Sequence, residues 1–318
     1  MFSFFKKNKE DSSIEVPEWA SFFTSDEYSV FIKAVRSYFD KLNLRYTIDD
    51  GVVIVDKEND LGFNKLGLQN LSQKCKQNDI KDYESVVTDH FETMIRIHKF
   101  GKEFEEIVSD FEKVEKYIGV RLHDVEYAAN LKKENMIVRE FAEGVVAMLV
   151  FDLPESVMNI KPEQIEPWGK TIDELYEIGK RNIKQNCAVN LFEEKVGDHK
   201  FWFAEADHFY ATNFVMDIQD YPQVVGKKGS LISVPNRHIA LIYPIHDLEV
   251  VGALNNMLYL TSRMYEDGPG SITDRVYWYN DGAFINIPHR IENEKRVIAP
   301  PDVFIDALNE LGEAGNKK

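Results

Sequence analysis

Arg237, Asp274 and Arg275 are the side chains of this sequence best placed for chemistry. Arg237 follows Pro235-Asn236 at the tip of a predicted strand turn, and Asp274-Arg275 lead from the loop Gly268-Pro269-Gly270-Ser271 into another strand. Loops held by a rigid sheet commonly carry function. Two guanidinium groups converging on one pocket hold an anion bidentately, so these residues form the candidate ligand site, with Asp274 the supporting acid. The competing expectation is structural: each Arg pairs with a nearby carboxylate, such as Asp274 or Asp281, and fixes its turn.

Other chemistries find less support. Trp168-Gly169-Lys170-Thr171 resembles the end of a phosphate-binding loop, but that motif needs Gly five residues before Gly169, where Gln164 stands. Thr171 instead reads as a helix cap. No GxGxxG occurs, and no cofactor is expected. There are eight His and no HExxH. The densest polar group, Asp198-His199, Glu205 and Asp207-His208, runs along a strand rising about 3.3 Å per residue, so His199 and Glu205 stand roughly 20 Å apart. One ion with ligands about 2 Å away does not bridge that distance along a straight strand, and no metal is expected. Asp207 and His208 sit where a helix is predicted to begin, and the acid suits a cap. His90 and His98 border an apolar helix face, and His246 and His289 lie beside prolines in loops. Ser271 lacks a GxSxG elbow. Cys75 and Cys187 are far apart, form no CxxC pair and read as small core residues.

Charge sets the class of partner. The 318 residues carry 38 Lys+Arg and 54 Asp+Glu, a formal net charge of −16. Broad binding to nucleic acid or anionic lipid needs clustered cations, so that balance argues against both and toward a basic protein partner. The start, MFSFFKKNKE, places its lysines after a short aromatic run and does not read as a signal peptide. The longest apolar run, Val145–Phe151, is about a third of the roughly 20 residues a membrane helix needs. With two separated thiols, a reduced cytoplasm is the expected setting.

The positioning elements follow from periodicity and turn chemistry. Thr24-Ser25-Asp26-Glu27 is a capping box opening a helix on Tyr28, Phe31, Ile32, Val35 and Phe39. Asp49-Asp50-Gly51 predicts a hairpin turn. Tyr83, Val87, Phe91 and Met94 mark a second helix. Over 102–118, Phe104, Ile107, Val108, Phe111, Val114 and Ile118 form a stripe among acids, predicting one acidic connecting helix. Glu143–Asp152 reads as a central strand covered on both faces, and Thr171–Glu174 as a second capping box. Hairpins are predicted around Gly197-Asp198, Pro235–Arg237 and Asp281-Gly282. A long helix follows Asp247, and a last one runs over Val303–Leu311, closed by Gly312. The aromatic runs Phe201–Phe203 and Tyr277–Tyr279 put rings on both faces of a sheet, which calls for a helix on one side and a second layer on the other. Strands arrive in antiparallel pairs, so the class is α+β: two lobes of antiparallel sheet packed with helices, joined by the acidic helix. The expected division is a flexible tail over 1–15, an N-terminal lobe over 16–100, a connecting helix and linker over 101–132, a C-terminal lobe over 133–312, and a tail over 313–318.

Four stretches in this order resemble the YtpQ-like family of uncharacterised bacterial proteins, a domain of unknown function. They are Gly67–Leu71 with the helix after it, Val145–Ser156, Leu175–Gln185, and Ser233–Arg237 through Tyr265–Gly268 to Asp274-Arg275. The resemblance implies a fold and a bacterial cytoplasmic setting, and no mechanism. Absence of an assembled catalytic pattern beside the acidic balance points to a non-catalytic interaction protein, an adaptor or chaperone-like factor. The alternative is a hydrolase-type enzyme with its site in the inter-lobe cleft.

Overall fold

Local chemistry sets most of the elements. In the computed structural model, which describes residues 15–56, 61–268, 270–292 and 295–316, Thr24 Oγ1 accepts from Glu27 N while Thr24 N donates to the Glu27 carboxylate. This box opens α1 (Ser25–Lys41). β1 (Tyr46–Asp49) and β2 (Val52–Val55) pair through a turn in which Asp50 and Gly51 both have positive φ, as a tight hairpin requires. β3 (Lys65–Gly67) joins β2, and α2 (Gln69–Lys76) and α3 (Tyr83–Ile107) follow. The apolar face of α1 packs with Val53, Val55, Val87 and Phe91 in one core. There Tyr38 stacks on Phe91, with ring centroids 4.9 Å apart.

The chain divides into two compact units, Met1–Glu106 and Ile107–Lys318. The predicted acidic connecting helix over 102–118 is not a single helix. α3 ends at Ile107, Asp110 is extended, and a short turn α4 (Phe111–Val114) leads into β4 (Ile118–Asp124). Asp110 ion-pairs with Lys113 within the new turn, at 2.9 Å. Part of the predicted linker over 101–132 is thus strand β4 and helix α5 (Val125–Ala129) of the second unit.

In that unit, β6 (Val145–Leu153) is central and buried along nearly all its length. It pairs antiparallel with β4, with β5 (Val138–Ala142) and with β7 (Ser156–Asn159). α6 (Pro162–Ile165) precedes α7 (Ile172–Asn186), which Thr171 and Glu174 open with the predicted box. A second antiparallel sheet follows. It is built from β8 (Asn190–Val196), β9 (His199–Glu205), β10 (Ser230–Asn236), β11 (Ile239–Pro244), β12 (Tyr277–Asn280) and β13 (Ala283–Asn286), in the order β13-β12-β10-β11-β9-β8. α8 (Val250–Asp267) packs Val250, Leu254, Met257 and Leu258 against Phe201, Leu231 and Leu241 of this sheet. β14 (His289–Glu292) and β15 (Lys295–Ile298) form a separate hairpin before α9 (Asp302–Asn316). Antiparallel sheets packed with helices make the fold α+β.

The aromatic run at Tyr277–Tyr279 does serve two faces. Trp278 packs against Phe304 of α9, while the Tyr277 hydroxyl donates to the Glu143 carbonyl and Tyr279 meets Phe284. The predicted stop at Gly312 does not occur, and residues 313–316 of the predicted tail are helical. Gly312 lies inside α9, where an added Cβ would meet Leu248 Cδ1 at 3.5 Å. Residues 1–14 of the predicted N-terminal tail and 317–318 of the C-terminal one lie outside the described residues. No helix among the described residues is long and apolar enough to cross a membrane.

Candidate functional site

The β10–β11 turn holds Arg237 by main-chain geometry. Asn236 Oδ1 accepts from His238 N at 3.0 Å, and Arg237 N donates to Gly270 O at 3.1 Å. Gly270 has φ +70°, and a Cβ there would lie 2.6 Å from Arg237 Cδ. The glycine loop therefore leaves the lane along which Arg237 runs. Pro269 of that loop lies outside the described residues. Ser271 donates to Tyr265 O at 2.7 Å, a turn contact that occupies its hydroxyl proton. The Arg237 guanidinium ends over Phe209, with Cζ 4.1 Å from the ring centroid, and its Nε donates to His238 Nε2 at 3.2 Å.

Arg275 has different neighbours. Its Nε lies 3.9 Å from Glu143 Oε1, and its guanidinium lies against Gly144, where a Cβ would be 2.1 Å from Nη1. Arg275 pairs with a carboxylate, as the structural expectation has it, although the acid is Glu143. Asp274 is exposed and acts electrostatically on Tyr265, Tyr277 and His289. Arg237 and Arg275 thus take different partners, and Arg237 shares its ring with Arg121. Sequence periodicity carried a signal for Arg121. Val120 and Leu122 are buried, so Arg121 and His123 fall together on the other face of β4. Reading 102–118 as a helix and 101–132 as a linker hid that alternation.

The remaining candidates are occupied by structure. Asp207 and His208 do not cap a helix, since the following 3₁₀ segment starts at Ala211 without a side-chain cap. Instead His208 Nδ1 accepts from Tyr210 N. Burial pushes the Cys75 and Cys187 thiols up to about 11, which keeps both protonated near neutrality. No group of three or more His, Cys, Asp or Glu suited to a metal ion occurs among the described residues.

A second place stands out by shape. Val125 and Ala128 of α5, Met136, Ile137, Val138 of β5, Val146 of β6, Pro162 and Ile165 of α6 and Ile172 of α7 line a mostly apolar groove of about 510 Å³. Its walls are held by conventional caps. Asp124 accepts from Glu126 N at the start of α5, Pro162 sits in the first turn of α6, and the Thr171–Glu174 box opens α7. Val125, Val138 and Ile172 are 41–46% exposed there, which is unusual for three large aliphatic side chains on one feature. Exposed acids neighbour the lining residues along the chain: Glu126, Glu134, Glu140 and Glu166. None of the four holds an ion pair among the described residues, whereas the nearby bases Arg139 and Lys161 are paired to Asp173 and Glu163. Arg139 also stacks on Tyr176, 4.2 Å from its centroid. No protein-family model matches the chain, and no curated protein or solved structure matches it.

Proposed function

We propose that this chain is a non-catalytic protein-interaction factor, adaptor or chaperone-like, whose groove receives a basic amphipathic helix of a protein partner. The observation that carries it is the apolar groove with unpaired acids beside it. An amphipathic helix buries an apolar stripe about a third of its circumference wide, and the groove offers exposed Val125, Val138 and Ile172 to such a stripe. Lysines or arginines on the helix flanks then meet Glu126, Glu134, Glu140 and Glu166, which supplies orientation and on-rate more than affinity. The same proposal places the protein in a bacterial cytoplasm and away from broad nucleic-acid binding, supported by its two unpaired thiols and its charge of −16. Kinship with the YtpQ-like proteins belongs to the proposal and rests on the order of the four sequence stretches.

The test is fluorescence anisotropy with a labelled synthetic helix carrying leucine on one face and lysine on its flanks. Binding is expected at low salt and weakens as salt screens the flanking charges. Val138→Asp, an exposed position, is expected to weaken it about tenfold by placing a charge in the apolar contact. A helix with glutamate in place of lysine is expected not to bind. Equal binding of the two helices, or an unchanged affinity in Val138→Asp, would sink the proposal.

A further inference from the structure

Arg121 leaves β4 opposite Met148 of β6, on a sheet face that also carries His123, Val146 and Val150. Its Cζ lies 5.4 Å from the centroid of Phe209, the ring that Arg237 approaches to 4.1 Å. One phenyl ring therefore collects two guanidinium groups. Arg139, Arg181, Arg275 and Arg290 are ion-paired. Arg121 and Arg237 hold no ion pair among the described residues. Arg121 Nε is buried without a hydrogen-bond partner. Arg237 Nε has only His238 Nε2, a contact that requires the His238 proton on Nδ1, where Ala206 O stands 3.2 Å away.

The electrostatics agree with the geometry. Burial, and after it the charge of Arg237, holds Arg121 below its ordinary range, and burial does the same to Arg237. The acid that offsets Arg121 is Asp152, whose Oδ1 already accepts the Tyr210 hydroxyl at 2.8 Å. Two desolvated like charges with no ion-paired carboxylate among the described residues are costly. A bound anion offsets that cost.

We propose that Arg121 and Arg237, which share the Phe209 contact, bind the phosphate group of a small phosphate monoester. Two cations call for about two negative charges, which a phosphate monoester carries near neutrality along with three terminal acceptor oxygens. Phe209 and Tyr127 are 39% and 48% exposed, so the site is open to solvent on that side, and Tyr127 stacks on His123 with centroids 4.7 Å apart to give it a flat border. Asn236 and His238, the chain neighbours of Arg237, line an open cavity of about 670 Å³ together with Glu205 and Asp207. Its two acids exert no resolved pull on Arg237, whose only perturbation is burial.

The experiment uses the full chain and inorganic phosphate as the probe, read by calorimetric titration and by thermal unfolding at matched ionic strength with chloride as control. Phosphate is expected to bind and to raise Tm. Arg121→Met is expected to raise the ligand-free Tm, because an unpaired desolvated cation gives way to an apolar chain of similar length, while weakening phosphate about tenfold or more. Arg237→Gln is expected to weaken phosphate by a similar factor. Arg275→Gln, which removes an arginine already paired to Glu143, is expected to leave phosphate binding unchanged. The proposal is overturned if phosphate does not bind the wild-type chain, if both Arg121→Met and Arg237→Gln bind it undiminished, or if Arg275→Gln loses it equally. Acetate binding as tightly as phosphate overturns the phosphate assignment in favour of a carboxylate.

Discussion

His123 writes a pH dependence into the second unit. Burial first, then Arg121, then Arg237, push its imidazole down to about 4. In the unfolded chain it titrates near 6.5. Between those values the unfolded chain binds a proton that the folded chain refuses, so stability falls as pH decreases below about 6.5 and keeps falling toward 4. Urea midpoints measured from pH 7 to pH 5 are expected to drop less in His123→Gln than in the wild type. His90 and His289 are lowered by burial too and add a fall of the same sign to both proteins, so the difference between them isolates His123. Equal slopes would refute the assignment. Arg237 was legible from its place after Pro235-Asn236 at a strand turn. Arg121 left a local trace in the alternation of β4, but its meeting with Phe209 and Arg237 did not, because nothing local in the sequence says that residues 121, 209 and 237 meet.

α7 and β4 touch through glycines, and this contact decides which substitutions the element tolerates. A Cβ on Gly179 would lie 2.8 Å from Val120 Cγ2 and 2.9 Å from the Gly119 carbonyl carbon. Backbone atoms cannot swing aside as a side chain can, so Gly179→Val is expected to cost about 1–3 kcal/mol or more through overpacking. A Cβ on Gly101, within α3, would meet nothing within 4 Å. Gly101→Ala is expected to stabilise by roughly 0.5–1 kcal/mol, by helix propensity and reduced freedom of the unfolded chain. Chemical denaturation of both variants checks the pair, and a destabilised Gly101→Ala would contradict the open surroundings of that site. The elements themselves were mostly readable. Thr24–Glu27, Thr171–Glu174 and Asp50-Gly51 announce their caps and turn through bonds between near neighbours. The stretch 102–118 misled because a three- and four-residue apolar spacing arose from α3, a short turn and the first residue of β4 in succession.

The whole chain carries 54 acids against 38 bases. Exposed pairs such as Lys41–Glu84 and Lys200–Glu193 contribute about 0–1 kcal/mol each and weaken with salt. The acidic excess repels itself, and that repulsion is screened as well. With a net charge of −16 the repulsion is expected to govern, so Tm is expected to rise between about 10 mM and about 0.2 M NaCl, over which the Debye length shortens from about 30 Å to under 10 Å. A fall in Tm would show that the ion pairs dominate.

Class, turns, caps and the central strand β6 followed from residue order, because hydrophobic period, Gly and Asp at positive φ, and Thr–Glu boxes act within a few residues. The groove between α5, β5, α6 and α7 and the meeting of Arg121 with Arg237 did not follow. The groove gathers residues from 125 to 172, and the arginine pair joins strands more than a hundred residues apart. Such encounters are settled by strand order and sheet packing, which depend on the burial of the whole core rather than on any local pattern.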